Sequence, residues 1–293
     1  AAMPGPTGLL SFEEHFPGRF FDVGIAEAHA MTTAAGMALC GLRPVVCIYS
    51  TFLSRCFDQW NLDVGLHCAK VVVVADRAGV TGDDGPSHHG IYDLVQALSI
   101  PGCAIFCPSE PKEIAPALKA ALSHDGPSLI RYPKTPSPGP LSPEEGEALS
   151  HRVLFEGSGE VALVGVGKLA RTCVDAAHIL KKEGLCPEVI DPRVIRPADQ
   201  ALVDHLARAS LVVTAEDGLA HGGAGSYLLG LVDEVAARDK RPGPAHLVLG
   251  IPTAYHAHGK PDAILARLGL DATGIASSVR EAVARLGHET AAP

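Results

Sequence analysis

Short apolar runs alternate with helix-like segments along the first half of the chain. Four continuous runs of apolar or small residues are typical of strands buried on both faces, and they lie at residues 45–48, 71–75, 103–107 and 128–131. Helical patterns separate them, at residues 23–40, from 50 to about 66, briefly after 90, and at 111–123. This alternation predicts an α/β unit built on a parallel sheet.

The second half repeats the alternation after a proline-rich interruption. Five prolines from Pro133 to Pro143 exclude a helix or a central strand, which predicts an extended linker at 135–150. Beyond it, strands are predicted at 161–164, 187–190, 211–214 and 246–249, and helices at 170–183, 198–208 and 227–238. The expected fold is α/β, with two doubly wound domains and mainly parallel sheets, at 1–134 and 151–293.

Composition and charge narrow the classes of function. The chain has 293 residues, enough for two domains, and a net charge of -9, which argues against a nucleic-acid partner. It shows neither a leader-like N-terminus nor an apolar stretch of membrane-spanning length, so we expect a cytoplasmic protein with no membrane partner. The eight cysteines include no C-x-x-C pair, which predicts reduced, buried thiols.

A dense polar segment, RAGVTGDDGPSHHG at 77–90, directly follows the predicted strand that ends at Ala75. Open parallel sheets bind ligands at the carboxyl ends of their strands, and this segment offers groups for proton transfer and anion binding. It therefore reads as an active-site loop or, alternatively, as a glycine-rich turn with solvated charges. A metal site is disfavoured because neighbouring side chains rarely face one ion, and we predict no metal ligands in this chain.

Two further motifs have competing interpretations. Glu27 lies in a stretch of apolar and small residues, where a buried carboxyl would suit proton transfer. The local pattern instead favours an exposed glutamate in the first turn of a helix. The segment GGAGS at 222–226 precedes a predicted helix and resembles a phosphate cradle. It lacks the full G-x-G-x-x-G spacing, so we favour a structural role in close packing.

Seven motifs resemble, in order, those of 1-deoxy-D-xylulose-5-phosphate synthases in the transketolase family. They are RFFDVGIAE at 19–27, IYSTFLSR at 48–55, ADRAG at 75–79, DGPSHHG at 84–90, IRYP at 130–133, IDPRVIRP at 190–197 and AEDGLAHGGAGS at 215–226. The resemblance extends over nearly the whole chain from Arg19. It implies the pyrimidine-binding and C-terminal domains of a thiamine diphosphate-dependent enzyme.

The resemblance implies roles for four residues at the cofactor. Glu27 would hydrogen-bond a ring nitrogen of the aminopyrimidine and favour the tautomer that removes the thiazolium C2 proton. The cofactor would carry the difficult chemistry. Phe52 would stack on the aminopyrimidine ring, with Tyr49 and Ile25 also at the cofactor.

The resemblance also implies a substrate site. Asp84 and His88 would be catalytic, orienting a hydroxyl or moving a proton of the substrate. The implied substrate-binding set is Tyr49, Arg55, Arg77, Asp84, His88 and Lys134. Lys134 stands where the family has an arginine, whose planar fork binds phosphate through two hydrogen bonds. Its presence predicts either weaker phosphate binding or an acceptor without phosphate.

The family's Gly-Asp-Gly motif and a downstream asparagine, which hold Mg2+ and the diphosphate, do not occur in this sequence. The resemblance therefore implies a separate subunit that carries the diphosphate-binding domain and the Mg2+ ligands, in an α2β2 assembly like that of split transketolases. We expect a two-chain carboligase that transfers a two-carbon ketol or acyl unit to an aldehyde-type acceptor. Two alternatives stay open. One is the synthase reaction itself, from pyruvate and glyceraldehyde 3-phosphate, with the missing domain on another chain or truncated away; the other is a non-catalytic scaffold subunit.

Overall fold

Two five-stranded sheets flanked by helices form the computed structural model, which describes residues 3–141 and 149–289. In the first half the strands are β1 Val45–Tyr49, β2 Val72–Asp76, β3 Ala104–Phe106 and β4 Ser128–Arg131. They pair in parallel in the order β1-β2-β4-β3. Every residue of β3 and β4 is buried, which explains why these strands, apart from Arg131, are apolar or small rather than alternating.

The helices of the first half depart from the prediction in two of the predicted helices and include one, Leu10–His15, that was not predicted. They are α1 Leu10–His15, α2 Glu27–Leu39, α3 Phe57–Gln59, α4 Asp93–Ser99 and α5 Ile114–Ser123, with 3-10 turns at Pro17–Arg19, Ser50–Arg55 and Pro111–Glu113. The helix predicted from residue 23 begins only at Glu27, because Gly24 (φ +72°) and Ala26 (φ -146°) are not helical. The helix predicted from 50 to about 66 is interrupted at Cys56 (φ -132°) and continues as α3 and a π-helical segment, Trp60–Gly65.

The second half forms the other sheet, with strand order β10-β9-β6-β7-β5. The strands of the second half are β5 Arg152–Phe155, β6 Val161–Gly165, β7 Glu188–Asp191, β8 Val194–Arg196, β9 Leu211–Leu219 and β10 Ala245–Ile251, and all except β8 belong to this sheet. Its helices are α6 Leu169–Lys182, α7 Gln200–Leu206, α8 Ala224–Arg238, α9 Pro261–Arg267 and α10 Ala272–Glu289. All pairings are parallel except that of β5 with β7. The predicted α/β class with two mainly parallel sheets is confirmed.

One strand of the second half completes the sheet of the first. The pattern did not predict β8, which pairs antiparallel with β3. Arg196, at the end of β8, donates hydrogen bonds to the carbonyl oxygens of Ala97, Leu98, Ile100 and Cys103. The two halves are thus joined by backbone pairing. The predicted linker forms no helix or strand at 135–141 and 149–150, and its residues 142–148 lie outside the described part.

The cysteines are all free, but four of the eight are not fully buried as expected: Cys47 and Cys186 are half-buried, and Cys40 and Cys68 are exposed. Cys40 and Cys68 are exposed because each follows a helical segment where the chain turns away from the core. Burial raises the pKa of Cys103 to about 12, as expected for a thiol packed as a small apolar group. In the described ranges, no helix has the length and apolar character needed to cross a membrane.

Candidate active site

Polar side chains lie at the carboxyl ends of three parallel strands of the first sheet. Tyr49 is the last residue of β1 and pairs with Asp76, the last residue of β2. Arg131 ends β4 and pairs with Ala75. The carboxyl ends of β1, β2 and β4 therefore meet, which is where open parallel sheets bind ligands.

An aromatic and cationic cluster covers this edge. The rings of Tyr49 and Phe52 are nearly parallel, with centroids 5.8 Å apart and an interplanar angle of 8°. The guanidinium of Arg77 lies 3.8 Å from the centroid of the Tyr49 ring. The ring of His88 meets Phe52 edge-on at 5.5 Å. These contacts bring together four of the predicted site residues.

Glu27 lies beside this cluster and is buried. Glu27 is the first residue of α2, as the helix-dipole interpretation predicted. That interpretation also predicted an exposed side chain, which is wrong, because Glu27 is only 7% exposed. Arg55 connects it to the aromatic cluster, with its Nη1 atom 4.0 Å from the Glu27 Oε2 atom and its guanidinium 5.2 Å from the Phe52 centroid. Burial, and secondarily the charge of Glu27, raise the pKa of Cys56 to about 12, which leaves this thiol neutral.

A buried carboxylate at the end of β2, which the motifs did not single out, fixes Arg77. The Arg77 Nη1 atom donates to both carboxylate oxygens of Asp76, at 2.7 and 2.5 Å. Arg77 adopts φ +59°, a left-handed conformation that is uncommon for a residue other than glycine and recurs at functional sites. Burial raises the pKa of Asp76, opposed by Arg77 and by the exposed Lys134. Asp76 is signalled only by its place directly after a predicted strand.

Residues 79–90, hereafter the site loop, project from this edge. Two backbone hydrogen bonds between Gly79 and Gly90, at 2.7 and 2.8 Å, close the loop at its base. Ser87 Oγ lies 2.9 Å from His88 Nδ1, and the hydroxyl of Thr51 donates to the Ser87 carbonyl at 2.9 Å. The loop therefore holds His88 against Phe52.

Asp84 is exposed near the open face of the cluster. Burial raises the pKa of Tyr49, and the nearby charges of Asp76 and Asp84 add to that increase. Ile25, another predicted site residue, is 80% exposed on the segment before α2. Within the described residues, no group of three or more histidine, cysteine or acidic side chains could hold a metal ion.

A buried ionic network lies beneath the site and escaped the sequence analysis. Arg131 Nε donates to Asp93 at 2.8 Å, and its Nη1 atom donates to Asp217 of β9 at 2.9 Å. Lys168 reaches Asp217 at 3.3 Å. Burial alone would raise the pKa of Asp217, but Arg131 and Lys168 hold it below its usual range. Partners so distant in sequence leave no local signal.

The glycine-rich segment at 222–226 is structural, as predicted. The carboxylate of Glu216 accepts hydrogen bonds from the backbone N–H groups of Ala224 (3.1 Å) and Gly225 (2.8 Å) at the start of α8. The anion at this helix N-terminus is thus a side chain of the same chain. Gly223 permits the contact, because a Cβ atom there would lie 2.4 Å from Glu216 Oε2.

Comparison with known families agrees with this architecture. The family described as "Transketolase, pyrimidine binding domain" matches residues 1–138, and "Transketolase, C-terminal domain" matches residues 152–275. The chain belongs to the transketolase family. The 1-deoxy-D-xylulose-5-phosphate synthase of Parafrankia sp. is 42% identical over 293 residues, and that of Chlorobium luteolum is 44% identical over 286 residues. The alignments include 98% and 96% of this chain but 44% of each relative, so the chain spans less than half of their length.

Solved structures extend the comparison. A structure described as "Split gene transketolase, inactive beta4 tetramer" superimposes with a TM-score of 0.82 at 29% identity, covering 97% of this chain and 90% of that one. Transketolase from Campylobacter jejuni superimposes with a TM-score of 0.70 at 19% identity, covering 89% of this chain and 39% of that one. At this low identity the likeness shows the fold alone. Transketolases and deoxyxylulose-phosphate synthases are enzymes that use thiamine diphosphate.

Proposed function

We propose that this chain is the pyrimidine-binding half of a thiamine diphosphate-dependent carboligase that transfers a two-carbon ketol or acyl unit to an aldehyde-type acceptor. The observation that carries the proposal is the buried Glu27 carboxylate near the Phe52 ring, the two being linked through Arg55. A carboxyl group held next to an aromatic ring fits a flat, protonatable heterocycle, because the ring orients it and the carboxyl binds its nitrogen. When bound, the cofactor would supply the nucleophile that adds to the donor carbonyl.

Several residues of this chain would bind the cofactor. Glu27 would hold a proton at a nitrogen of the bound pyrimidine, and Phe52, Tyr49 and Ile25 would contact the cofactor. Arg55 touches both Glu27 and Phe52 and is 58% exposed, so it is free to turn toward a substrate.

The acceptor would bind on the other side of Phe52. His88 and Asp84 would orient a hydroxyl or move a proton of the substrate, because both lie at the open face of the aromatic cluster. Arg77 and Lys134 present positive charge beside Asp76, which suits a phosphate or another anion. Lys134 offers a point charge rather than a planar fork, which favours weaker binding of phosphate.

A diphosphate-binding domain is required in addition, carried by a separate chain or by a longer form of this one. The relatives are about twice as long as this chain, and the Gly-Asp-Gly motif is absent from its sequence. We propose that this other domain supplies the Mg2+ ligands, and that two copies of each half form a symmetric assembly. The likeness to a chain described as split-gene transketolase supports the two-chain form.

Binding tests this proposal directly. Thiamine diphosphate and Mg2+ are titrated calorimetrically into the chain alone and into its mixture with a candidate partner that carries the Gly-Asp-Gly motif. We expect tight binding only in the mixture, because half a site loses the contacts that offset the cost of association. If a stable complex forms between the two chains and still binds no cofactor, the catalytic proposal is wrong and a scaffold role replaces it.

Mutation of Glu27 tests the mechanism. We expect Glu27→Ala to abolish turnover of the assembled enzyme while leaving the fold intact, because it removes the only carboxyl group proposed to protonate the pyrimidine. The matched control is Glu13→Ala, since Glu13 is an exposed acid in the first turn of α1. Circular dichroism should show both variants folded. Carboligation retained in Glu27→Ala would rule out this role.

The synthase reaction, from pyruvate and glyceraldehyde 3-phosphate, is the second candidate. It is favoured by identities of 42% and 44% to proteins named as this synthase, and by the clustering of Tyr49, Arg77 and His88. Donor preference separates the two reactions. Release of CO2 from pyruvate that depends on glyceraldehyde 3-phosphate identifies the synthase. Release that depends on another aldehyde identifies a different acyl transfer, and consumption of a ketose donor without CO2 identifies a ketol transfer.

A further inference from the structure

The site loop contacts the second half of the chain at two places, of which one is the base of the loop. A Cβ atom on Gly79 would lie only 1.9 Å from the Asp217 Oδ2 atom, so the loop backbone touches β9 where only glycine fits. Gly79 also has φ +78°, which other residues rarely adopt. The same Asp217 is held by Arg131 and Lys168, so the base of the loop lies on a fixed ionic network.

The tip of the loop rests on residues 252–261, hereafter the platform, which follow β10 and include the start of α9. The Gly259 N–H donates to the carbonyl oxygen of Gly82 at 3.3 Å. A Cβ atom on Gly82 would lie 2.6 Å from Pro261 Cδ and 2.7 Å from the Gly259 oxygen. One on Gly85 would lie 3.4 Å from His258 Cβ. The loop and the platform are therefore in close contact at Gly82 and again at Gly85.

His89 is a buried residue of the same loop. It is 3% exposed, and its Nδ1 atom accepts a hydrogen bond from the backbone N–H of Thr81 at 3.2 Å. Because the partner is an N–H donor, Nδ1 carries a lone pair and the imidazole is neutral. The ring also lies against the backbone of His256 and Ala257 in the platform. Burial lowers the pKa of His89, which favours this neutral form.

We propose that the platform fixes the site loop in place and that His89, whose hydrogen bond to Thr81 lies within the loop, is the positioning residue that holds the loop in the shape that meets the platform. His89 adjoins His88 in sequence, so a displacement of the His89 ring moves the neighbouring ring relative to Phe52. The second half of the chain would thus determine the geometry of a site whose side chains all come from the first half. The effect on catalysis rests on the proposed function, through the roles of Asp84 and His88. The contact between the site loop and the platform does not depend on that function.

Hydrogen exchange measured by mass spectrometry on the chain alone tests the contact. Gly82→Ala forces a methyl group against Pro261, and Gly184→Ala is its matched control, because the two glycines have φ +87° and +86° but nothing lies within 4 Å of a Cβ atom on Gly184. We expect Gly82→Ala to accelerate exchange in both the site loop and the platform, and Gly184→Ala in neither. Faster exchange in the loop with an unchanged platform would overturn the proposal.

A second pair of variants tests His89 itself. His89→Leu removes the acceptor, whereas His89→Asn keeps an oxygen near the position of Nδ1. We expect loop exchange to be roughly five- to tenfold faster in His89→Leu, the effect of losing one buried hydrogen bond, and close to wild type in His89→Asn. His178→Leu, at an exposed histidine of α6, is the control for the substitution. Equal exchange in the two His89 variants would refute a role for the Nδ1 acceptor.

Activity of the assembled enzyme tests the consequence. We expect His89→Leu to raise the KM for the acceptor or to lower kcat at unchanged affinity for thiamine diphosphate, with recovery in His89→Asn. A loop that exchanges faster while the acceptor kinetics stay unchanged would contradict the positioning role. If wild type itself is inactive, the proposed function has failed, and the exchange measurements still decide whether the platform holds the loop.

Discussion

Replacing Arg131 by methionine should destabilise the chain far more than the loss of an ordinary charged residue. Arg131 is 3% exposed and is the link between Asp93, which is fully buried, and Asp217, which is 1% exposed. Methionine occupies a similar volume but leaves both carboxylates without their closest cation. Asp217 retains Lys168 at 3.3 Å, whereas the described residues give Asp93 no other ion pair.

The expected cost follows from this geometry. Removing one partner from a buried ion pair costs about 3 to 5 kcal/mol, because an uncompensated charge stays in the interior. A single domain is stable by about 5 to 15 kcal/mol, so the substitution removes a large part of the total. Adding Asp93→Asn should recover part of the loss, because it removes the carboxylate that was left unpaired. This recovery separates a buried-charge effect from a packing defect.

Urea unfolding followed by circular dichroism measures the effect. The matched control is Arg238→Met, since Arg238 is 61% exposed and pairs with Asp204 and Asp239 at the surface. Exposed pairs contribute about 0 to 1 kcal/mol, so the control should unfold almost like wild type. If Arg131→Met loses no more stability than Arg238→Met, or if adding Asp93→Asn worsens the loss, the network does not act as argued.

Three further predictions concern the site loop, the acceptor site and the start of α8. Gly90→Ala places a Cβ atom 2.4 Å from Ser50 Oγ and 2.5 Å from the Arg77 carbonyl oxygen, so thermal unfolding should show a loss of about 1 to 3 kcal/mol. Gly36→Ala in α2, with nothing within 4 Å, should instead be neutral or stabilising. Lys134→Arg should lower the KM for phosphorylated acceptors in the assembled enzyme, and an unchanged acceptor preference would remove Lys134 from the phosphate site. Burial raises the pKa of Glu216 from 4.5 to about 7, so ionisation of Glu216 should cost stability as pH rises through that window. The free energy of unfolding is measured in urea across this pH range for wild type and for Glu216→Gln. The loss with rising pH should be smaller in Glu216→Gln by up to about 3 kcal/mol, and an equal pH dependence in the two proteins would refute this.

Hydrophobic periodicity predicted the parts of the fold that depend on local patterns. The runs that became β1 to β4 are apolar because both faces of the sheet are covered, and this leaves a signal in any continuous segment. It missed β5 and β8, which are short antiparallel strands. Their position depends on pairing with distant partners, such as the contacts of Arg196 with the end of α4, and periodicity carries no record of those.

The candidate site was predictable to the extent that its residues form contiguous motifs. Resemblance located Glu27, Phe52 and His88; the structure places Phe52 and His88 in contact, and Arg55 connects Glu27 to Phe52. Asp76 was not singled out, and His89 was considered only as one histidine of the polar segment, because the importance of both residues comes from what they contact. A single carboxylate after a strand, or the second of two histidines, is ambiguous until a partner such as Arg77 or Thr81 is seen beside it.

The ionic network and the platform support the site loop from two directions, so their perturbations are informative in combination. Arg131→Met weakens the hold on Asp217 beneath Gly79, whereas Gly82→Ala acts at the tip of the loop. If the loop moves as one rigid body, either change alone should accelerate exchange along all of residues 79–90, and the double variant should add little. If base and tip are independent, the two free-energy effects should add within about 0.5 kcal/mol. Strong non-additivity would therefore mean that the second half of the chain holds the loop as a single unit.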